Sequence, residues 1–238
     1  MIRIGNFLFH WRNVLFPIVY LLFLIKSRPI LPDYGHALAV GLVIALVGQL
    51  LRAVTIGLDY IKRGGKDRRV YADHLVQGGV FAHSRNPLYL GNFLIITGVA
   101  LTSNSLIPFS IAVVFFAFAY SAIIAAEEDY LRRKFGATFD EYCQRVNRII
   151  PNFSGFSRSV SGMSFNWRRL IKKEYGSTVV WSGAVVLIAL YNMWLRGEYQ
   201  AGNTVGLWII LGAIALAFVV ARFLKKSGLL KRADELAQ

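Results

Sequence analysis

Long apolar runs separated by short charged segments form the dominant pattern of this chain. A hydrocarbon core needs about 20 apolar residues to be crossed by a helix. Four runs approach or exceed that length, and two are shorter. They cover residues 14–25, 36–58, 88–101, 106–126, 177–195 and 204–221. The pattern therefore predicts an all-α, polytopic integral membrane helix bundle with about six transmembrane helices.

The charge distribution indicates the orientation of this bundle. The 238 residues are 55% hydrophobic, have a mean hydropathy of +0.48 and carry a net charge of +14. Most of the 27 Lys and Arg residues lie in 61–86, 127–176 and 222–238, which alternate spans place on one side. Basic loops mark the cytoplasmic side, so both termini should be cytoplasmic. Such surfaces also attract anionic membrane lipids. No groove-reading or base-stacking module accompanies them, so we expect no nucleic-acid partner.

The chain divides into three predicted parts. Residues 1–153 form a core, 154–176 a basic interfacial linker, and 177–238 an appended transmembrane hairpin with a basic C-terminal tail. Between residues 127 and 148, apolar side chains recur every three or four positions, which predicts two amphipathic helices interrupted at Gly136. These helices can fold over the bundle end between the third and fourth spans.

Arg52 is a charged residue inside the second predicted span. A charge at the bilayer centre costs ~2.5 kcal/mol or more, so it needs a partner or a function. The candidate partners are Glu127, Glu128 and a substrate anion. Because Arg52 is close to the helix end, its side chain can alternatively reach the interface.

The third span opens with Arg85, Asn86 and Pro87. Proline suits the first helical turn, and asparagine can cap its free N–H groups. Glu127 and Glu128 end the fourth predicted span, where carboxylates oppose the helix dipole. Solvation, an ion pair with Arg85 or Arg52, or a bound cation would compensate for this.

Metal and disulfide chemistry have little support in the sequence. His83 has no second histidine at metal-ligand spacing, so we predict no metal site. Cys143 is the only cysteine, which excludes an intrachain disulfide.

An ordered set of segments resembles the isoprenylcysteine carboxyl methyltransferase family, and the related phospholipid N-methyltransferases share much of it. The set comprises residues 75–81, 85–91 and 127–151, with Gly48 and Arg52 upstream. The resemblance covers roughly residues 40–153. It implies an integral membrane methyltransferase that uses S-adenosyl-L-methionine, held in a pocket formed by the cytoplasmic amphipathic helices. Asn86 stands where the family usually has histidine, and Phe81 replaces the usual tyrosine.

The resemblance also implies roles for individual residues. The candidate catalytic residues are Arg52, Arg85, Glu127 and Glu128. The candidate cofactor-binding residues are Gln77, Gly78, Gly79, Val80, Phe81, His83, Asn86, Tyr89, Glu128 and Tyr142.

The acceptor implied by the family is a lipophilic small molecule or a lipidated group with an isoprenylcysteine-like carboxylate. A phospholipid headgroup amine and a small hydrophobic thiol are alternatives on the same scaffold. A non-enzymatic membrane scaffold or a transporter is an alternative of a different class. The sequence lacks the paired interrupted helices that are typical of many transporters.

Overall fold

The computed structural model describes residues 1–58, 72 and 74–230. Within these residues the protein is all-helical, without β-strands, which confirms the predicted fold class. Much of the predicted 61–86 loop and the end of the basic tail lie outside the described residues. The α-helices are α1 (Ile2–Val19), α2 (Tyr34–Leu58), α3 (Pro87–Thr102), α4 (Leu106–Phe135), α5 (Ala137–Arg145), α6 (Phe156–Val160), α7 (Trp167–Leu195) and α8 (Ala201–Lys226). Short 3₁₀ segments cover Tyr20–Leu24 and Gly79–Ala82.

Five helices in the described part of the chain are long and apolar enough to cross a membrane: α1 with its 3₁₀ extension, α2, α4, α7 and α8. The remaining predicted span, the third along the chain, is α3, which has 16 residues and therefore a length of about 24 Å. The first span is longer than its apolar run suggested. It begins at Ile2, and Pro17 lies within the last turn of α1.

Glycines allow α2 and α3 to pack at very short range. A Cβ atom built on Gly98 would lie 2.4 Å from the carbonyl oxygen of Gly41, and one on Gly48 would lie 2.6 Å from that of Gly91. Real Cβ atoms essentially never approach other atoms closer than 3.0 Å. Backbone contact therefore fixes the spacing of these two helices, as small residues do in other membrane helix pairs.

The fourth span continues further than the sequence suggested. We expected it to end at Glu127 and Glu128, but α4 continues to Phe135, so that expectation was wrong. The break comes at Gly136, whose φ of +53° favours glycine. The two carboxylates are consequently inside a helix rather than at its end, and the argument from the helix dipole does not apply to them.

Helix α7 joins the central core. It begins at Trp167, so the segment predicted as the end of an interfacial linker forms the first turns of this helix. Trp181, Val185 and Ile188 pack in the same buried cluster as side chains of α1, α3 and α4. Helix α8 packs mainly on α7 and leaves most of its apolar surface exposed.

Candidate functional site

A cavity of about 690 Å³ lies among α1, α2, α3, α4 and α7. It is at the bundle end where α3 and α7 begin, which we term the site end. Its lining combines charged side chains from four helices and the loop before α3 with apolar and aromatic side chains. Examples of the charged group are Arg12, Arg52, Arg85, Glu127 and Glu174; examples of the apolar group are Phe16, Phe81, Ile96, Phe116 and Trp181. Such a lining suits a ligand with a polar head and an apolar body.

The predicted meeting of the loop before α3 with the acidic stretch of α4 is confirmed by an ion pair. The Nη1 atom of Arg85 lies 3.5 Å from Oε1 of Glu128. Arg148 reaches the other oxygen of the same carboxylate, with Nη2 at 2.9 Å. The backbone N–H of Arg85 donates to the carbonyl of Asn147 at 2.9 Å. Its guanidinium also contacts the sulfur of Cys143.

A second contact joins the same two regions in the first turn of α3. The hydroxyl of Tyr89 donates a hydrogen bond of 2.8 Å to Oε1 of Glu127, which is buried. The ring of Tyr89 packs against that of Tyr120, with centroids 5.5 Å apart. All three residues line the cavity. Glu127 is therefore a buried carboxylate held at the cavity wall by a directed hydrogen bond.

The partner of Arg52 differs from those expected. Its guanidinium binds both carboxylate oxygens of Glu174 in α7, with Nε–Oε2 at 2.9 Å and Nη2–Oε1 at 2.5 Å. The expectation of Glu127 or Glu128 as its protein partner was wrong, although a buried ion pair does form. Asn92 of α3 accepts a further hydrogen bond from Nη1. Sequence reasoning missed Glu174 because it follows two lysines in a basic segment.

The loop that leads into α3 is supported by its own hydrogen bonds. The hydroxyl of Tyr142 donates to the carbonyl of Phe81 at 2.7 Å, and Arg145 donates to Oε1 of Gln77 at 3.0 Å. His83 is buried, with Nδ1 against the carbonyl of Asn152. These contacts shape the loop, which includes a 3₁₀ turn that begins at Gly79, where φ is +55°.

Asn86 occupies the N-cap position of α3 but does not cap it with its side chain. Its side-chain amide instead donates to the carbonyl of Arg148 at 2.9 Å. This replaces the expected capping contact with one that ties the start of α3 to the segment after α5. Among the candidate cofactor residues, Phe81, Asn86 and Tyr89 line the cavity. The other candidates in this loop are Gln77, Gly78, Gly79, Val80 and His83. Glu128 and Tyr142 contact the loop from α4 and α5, through Arg85 and the carbonyl of Phe81.

Two polar atoms of the Arg85–Glu128 ion pair retain hydrogen-bonding capacity. Nε of Arg85 and Oε1 of Glu128 are buried without a hydrogen-bond partner among the described residues. A buried donor and a buried acceptor that both lack partners suit a ligand with a carboxylate and with an amino or hydroxyl group. In the described part of the chain, no group of three His, Cys, Asp or Glu residues is arranged to hold a metal ion.

Part of the chain is similar to a known protein family and to several curated proteins. Residues 36–138 match the phospholipid methyltransferase family. The chain is 33% identical over 116 residues to the nickel-cobalt-cadmium resistance protein NccN of Alcaligenes xylosoxydans xylosoxydans, covering 49% of each protein. It is 31% identical over 129 residues to a probable protein-S-isoprenylcysteine O-methyltransferase of Oryza sativa subsp. japonica, covering 52% of this chain and 65% of the relative.

A third relative is the cobalt-zinc-cadmium resistance protein CzcN of Cupriavidus metallidurans. It is 34% identical over 80 residues, which is 34% of this chain and 37% of the relative. The chain thus spans between about a third and two thirds of the length of these relatives. No solved structure matches it significantly.

Proposed function

Starting from the similarity of residues 36–138 to the phospholipid methyltransferase family, we propose that this integral membrane protein is a methyltransferase. It uses S-adenosyl-L-methionine and acts on a lipophilic acceptor with an isoprenylcysteine-like carboxylate. One observation carries the proposal: the loop before α3 and the acidic stretch of α4 meet through Arg85–Glu128 and Tyr89–Glu127 beside an amphipathic cavity. We further propose that the site end is cytoplasmic, as the basic segments indicate.

The residues at this wall fit the chemical groups of the cofactor. When bound, S-adenosyl-L-methionine supplies an electrophilic methyl carbon on a positively charged sulfur. The buried N–H donor of Arg85 suits the carboxylate of the cofactor, and the buried oxygen of Glu128 suits an amino or hydroxyl group of the cofactor. The rings of Phe81 and Tyr89 attract a cationic sulfonium through their faces. Asn86 helps to hold the loop through its bond to Arg148, a role that needs no charge.

The main catalytic contributions of the protein would be to align the acceptor with the methyl donor and to exclude water. Transfer to a carboxylate acceptor would form an ester and release no proton, so this acceptor would need no base from the protein. The apolar part of the cavity, including Phe116 and Trp181, would hold the lipophilic body of the acceptor.

A headgroup amine is the second candidate acceptor, and Glu127 is the observation that favours it. An amine loses a proton as it is methylated, so it needs a base. Glu127 is a buried carboxylate that lines the cavity. The name of the matched family, phospholipid methyltransferase, points to the same acceptor class.

Methyl transfer in membranes tests the proposal directly. Membranes containing the protein would be incubated with S-adenosyl-L-methionine labelled in its methyl group. The acceptors offered would be an S-prenylated cysteine with a free carboxylate, phosphatidylethanolamine and a long-chain thiol. We expect label in the prenylcysteine methyl ester, with label in phosphatidylethanolamine as the outcome for the second candidate. No transfer to any acceptor, together with no cofactor binding by the purified protein, would favour a scaffold or transporter instead.

Matched variants separate the site from general charge effects. Arg85→Ala and Glu128→Gln should each abolish transfer in protein that still folds. Arg133→Ala is the control, because the side chain of Arg133 is exposed on α4, where it pairs with Asp129. It should retain wild-type transfer. Full activity in either site variant would remove that residue from the mechanism.

A further inference from the structure

Helix α7 contributes to the cavity although it lies beyond the family match. The matched segment ends at residue 138, whereas α7 begins at Trp167. Arg169, Lys173, Glu174 and Trp181 from this helix nevertheless line the same cavity as Arg85 and Tyr89. The chain therefore builds part of its site from a segment that the family comparison does not cover.

Glu174 is the most buried charged residue of this wall, with 3% of its surface exposed. Both of its oxygens bind Arg52, and Oε2 also accepts a hydrogen bond of 3.2 Å from the side-chain amide of Gln49. The indole N–H of Trp181 donates to the oxygen of that amide at 2.8 Å. The network thus locks α7 onto α2.

The network also fixes the plane of a guanidinium at the cavity wall. Arg52 donates two parallel hydrogen bonds to the carboxylate of Glu174 and one to the side-chain oxygen of Asn92, which restrains three of its five N–H groups. Among the described residues the other two N–H groups have no hydrogen-bond partner, so they are available to a ligand in the cavity that Arg52 lines. A buried ion pair stabilises a fold weakly compared with apolar packing of similar volume. Its place on a cavity wall therefore suits a binding role better than a purely stabilising one.

We propose that Glu174 is a positioning residue for the acceptor: it holds Arg52 so that the remaining N–H groups bind an oxygen anion of the acceptor headgroup. This inference rests on the proposed methyltransferase function and adds α7 to the site. The bound group is a carboxylate or a phosphate oxygen, because both accept paired N–H donors from a guanidinium. Without Glu174, Arg52 keeps its charge but loses its fixed orientation.

A double-mutant cycle tests whether Glu174 acts through Arg52. Arg52→Gln, Glu174→Gln and the double variant would be compared with wild type in detergent or vesicles. The two acceptor probes are the S-prenylated cysteine, which offers a carboxylate, and phosphatidylethanolamine, which offers a phosphate. We expect Glu174→Gln to raise the KM for the active acceptor about tenfold or more. Cofactor affinity, measured by titration, should change less than twofold, and the double variant should be no worse than Arg52→Gln alone.

The control is Glu198→Gln, which makes the same chemical change in an exposed pair with Arg196 at the opposite end of the bundle. It should leave both constants unchanged. If Glu174→Gln does not fold, Glu174→Asp carries the same test, since it keeps the charge but shortens the side chain.

The outcomes distinguish the inference from the proposed function. Wild-type protein that neither binds cofactor nor transfers methyl groups would refute the proposed function. Active wild-type protein with an unchanged acceptor KM in Glu174→Gln would overturn the inference alone. A fall in cofactor affinity as large as the rise in acceptor KM would also overturn it, and so would effects of the two substitutions that add in the double variant. Either result would indicate that Glu174 supports the fold in general.

Discussion

The contact between α2 and α3 is the part of the fold that should be most sensitive to a substitution of glycine by alanine. Gly98→Ala would place a Cβ atom 2.4 Å from the carbonyl oxygen of Gly41 and 2.5 Å from the backbone nitrogen of Ala45. Neither neighbour is a flexible side chain, so the helices must separate. The same helix pair carries Arg52 and Asn92, so the separation would also disturb the cavity wall.

The size of the effect follows from a comparison with an unhindered glycine. Gly212 lies in α8 with nothing within 4 Å of its Cβ position. Both substitutions gain about the same helix propensity, so the difference between them isolates the clash. Overpacking a well-packed contact typically costs ~1–3 kcal/mol. For a protein of this size, where 1 kcal/mol shifts Tm by about 2–4 °C, Gly98→Ala should melt about 2–12 °C below Gly212→Ala.

Thermal unfolding of the purified variants in one detergent, followed by loss of helical circular dichroism, measures this difference. The wild type serves as the reference for both. If Gly98→Ala melts at or above the temperature of Gly212→Ala, the close contact between α2 and α3 does not exist as described.

Two further predictions concern the site and its loop. Tyr89→Phe removes the hydrogen bond to the buried carboxylate of Glu127, and a bond to a charged group contributes ~1.5–3 kcal/mol. We expect the methyl-transfer rate to fall about tenfold or more, with an unchanged rate as the contradicting result. Gly136→Ala places a residue with a side chain at a backbone φ of +53°, which costs ~1–3 kcal/mol. It should lower Tm, whereas Gly183→Ala in α7, where the Cβ position is open, should not. Equal Tm values for the two variants would contradict the positive φ of Gly136.

The hydrophobic pattern was sufficient to predict the helices and the meeting of the main site segments. Each predicted span is a helix, because an apolar run in lipid must satisfy its backbone hydrogen bonds internally. The pairing of Arg85 with a carboxylate of α4 was also predictable. Few acidic residues lie near the ends of the predicted spans in this sequence, and Glu128 is the middle one of three consecutive acidic residues.

The boundaries of α4 and α7 were not predictable from hydrophobicity. Charged residues after Glu128 indicated the end of a span, but charge ends the apolar stretch and not the helix. The helix continues because no residue interrupts it before Gly136. In the same way, α7 begins before its apolar run, and Asn166 caps it by accepting from the N–H of Arg169 at 2.8 Å.

Glu174 shows how a long-range pair escapes local reasoning. It is separated from Arg52 by 122 residues and lies in a basic segment. A usable signal was nevertheless present. Glu174 and Trp181 are seven residues apart, which places them on one helix face two turns apart. A carboxylate on the buried face of a membrane helix was a reasonable partner for the intramembrane arginine.

The most direct test of the account is to find where the methyl donor binds. S-adenosyl-L-methionine labelled in its methyl group would be crosslinked to the purified protein by ultraviolet light, and the labelled peptides identified by mass spectrometry. We predict label in residues 77–92 or 120–148, reduced by excess unlabelled cofactor and lost in Arg85→Ala. Specific label confined to α8, or no saturable label in folded protein, would contradict the claim that these two regions enclose a methyl donor.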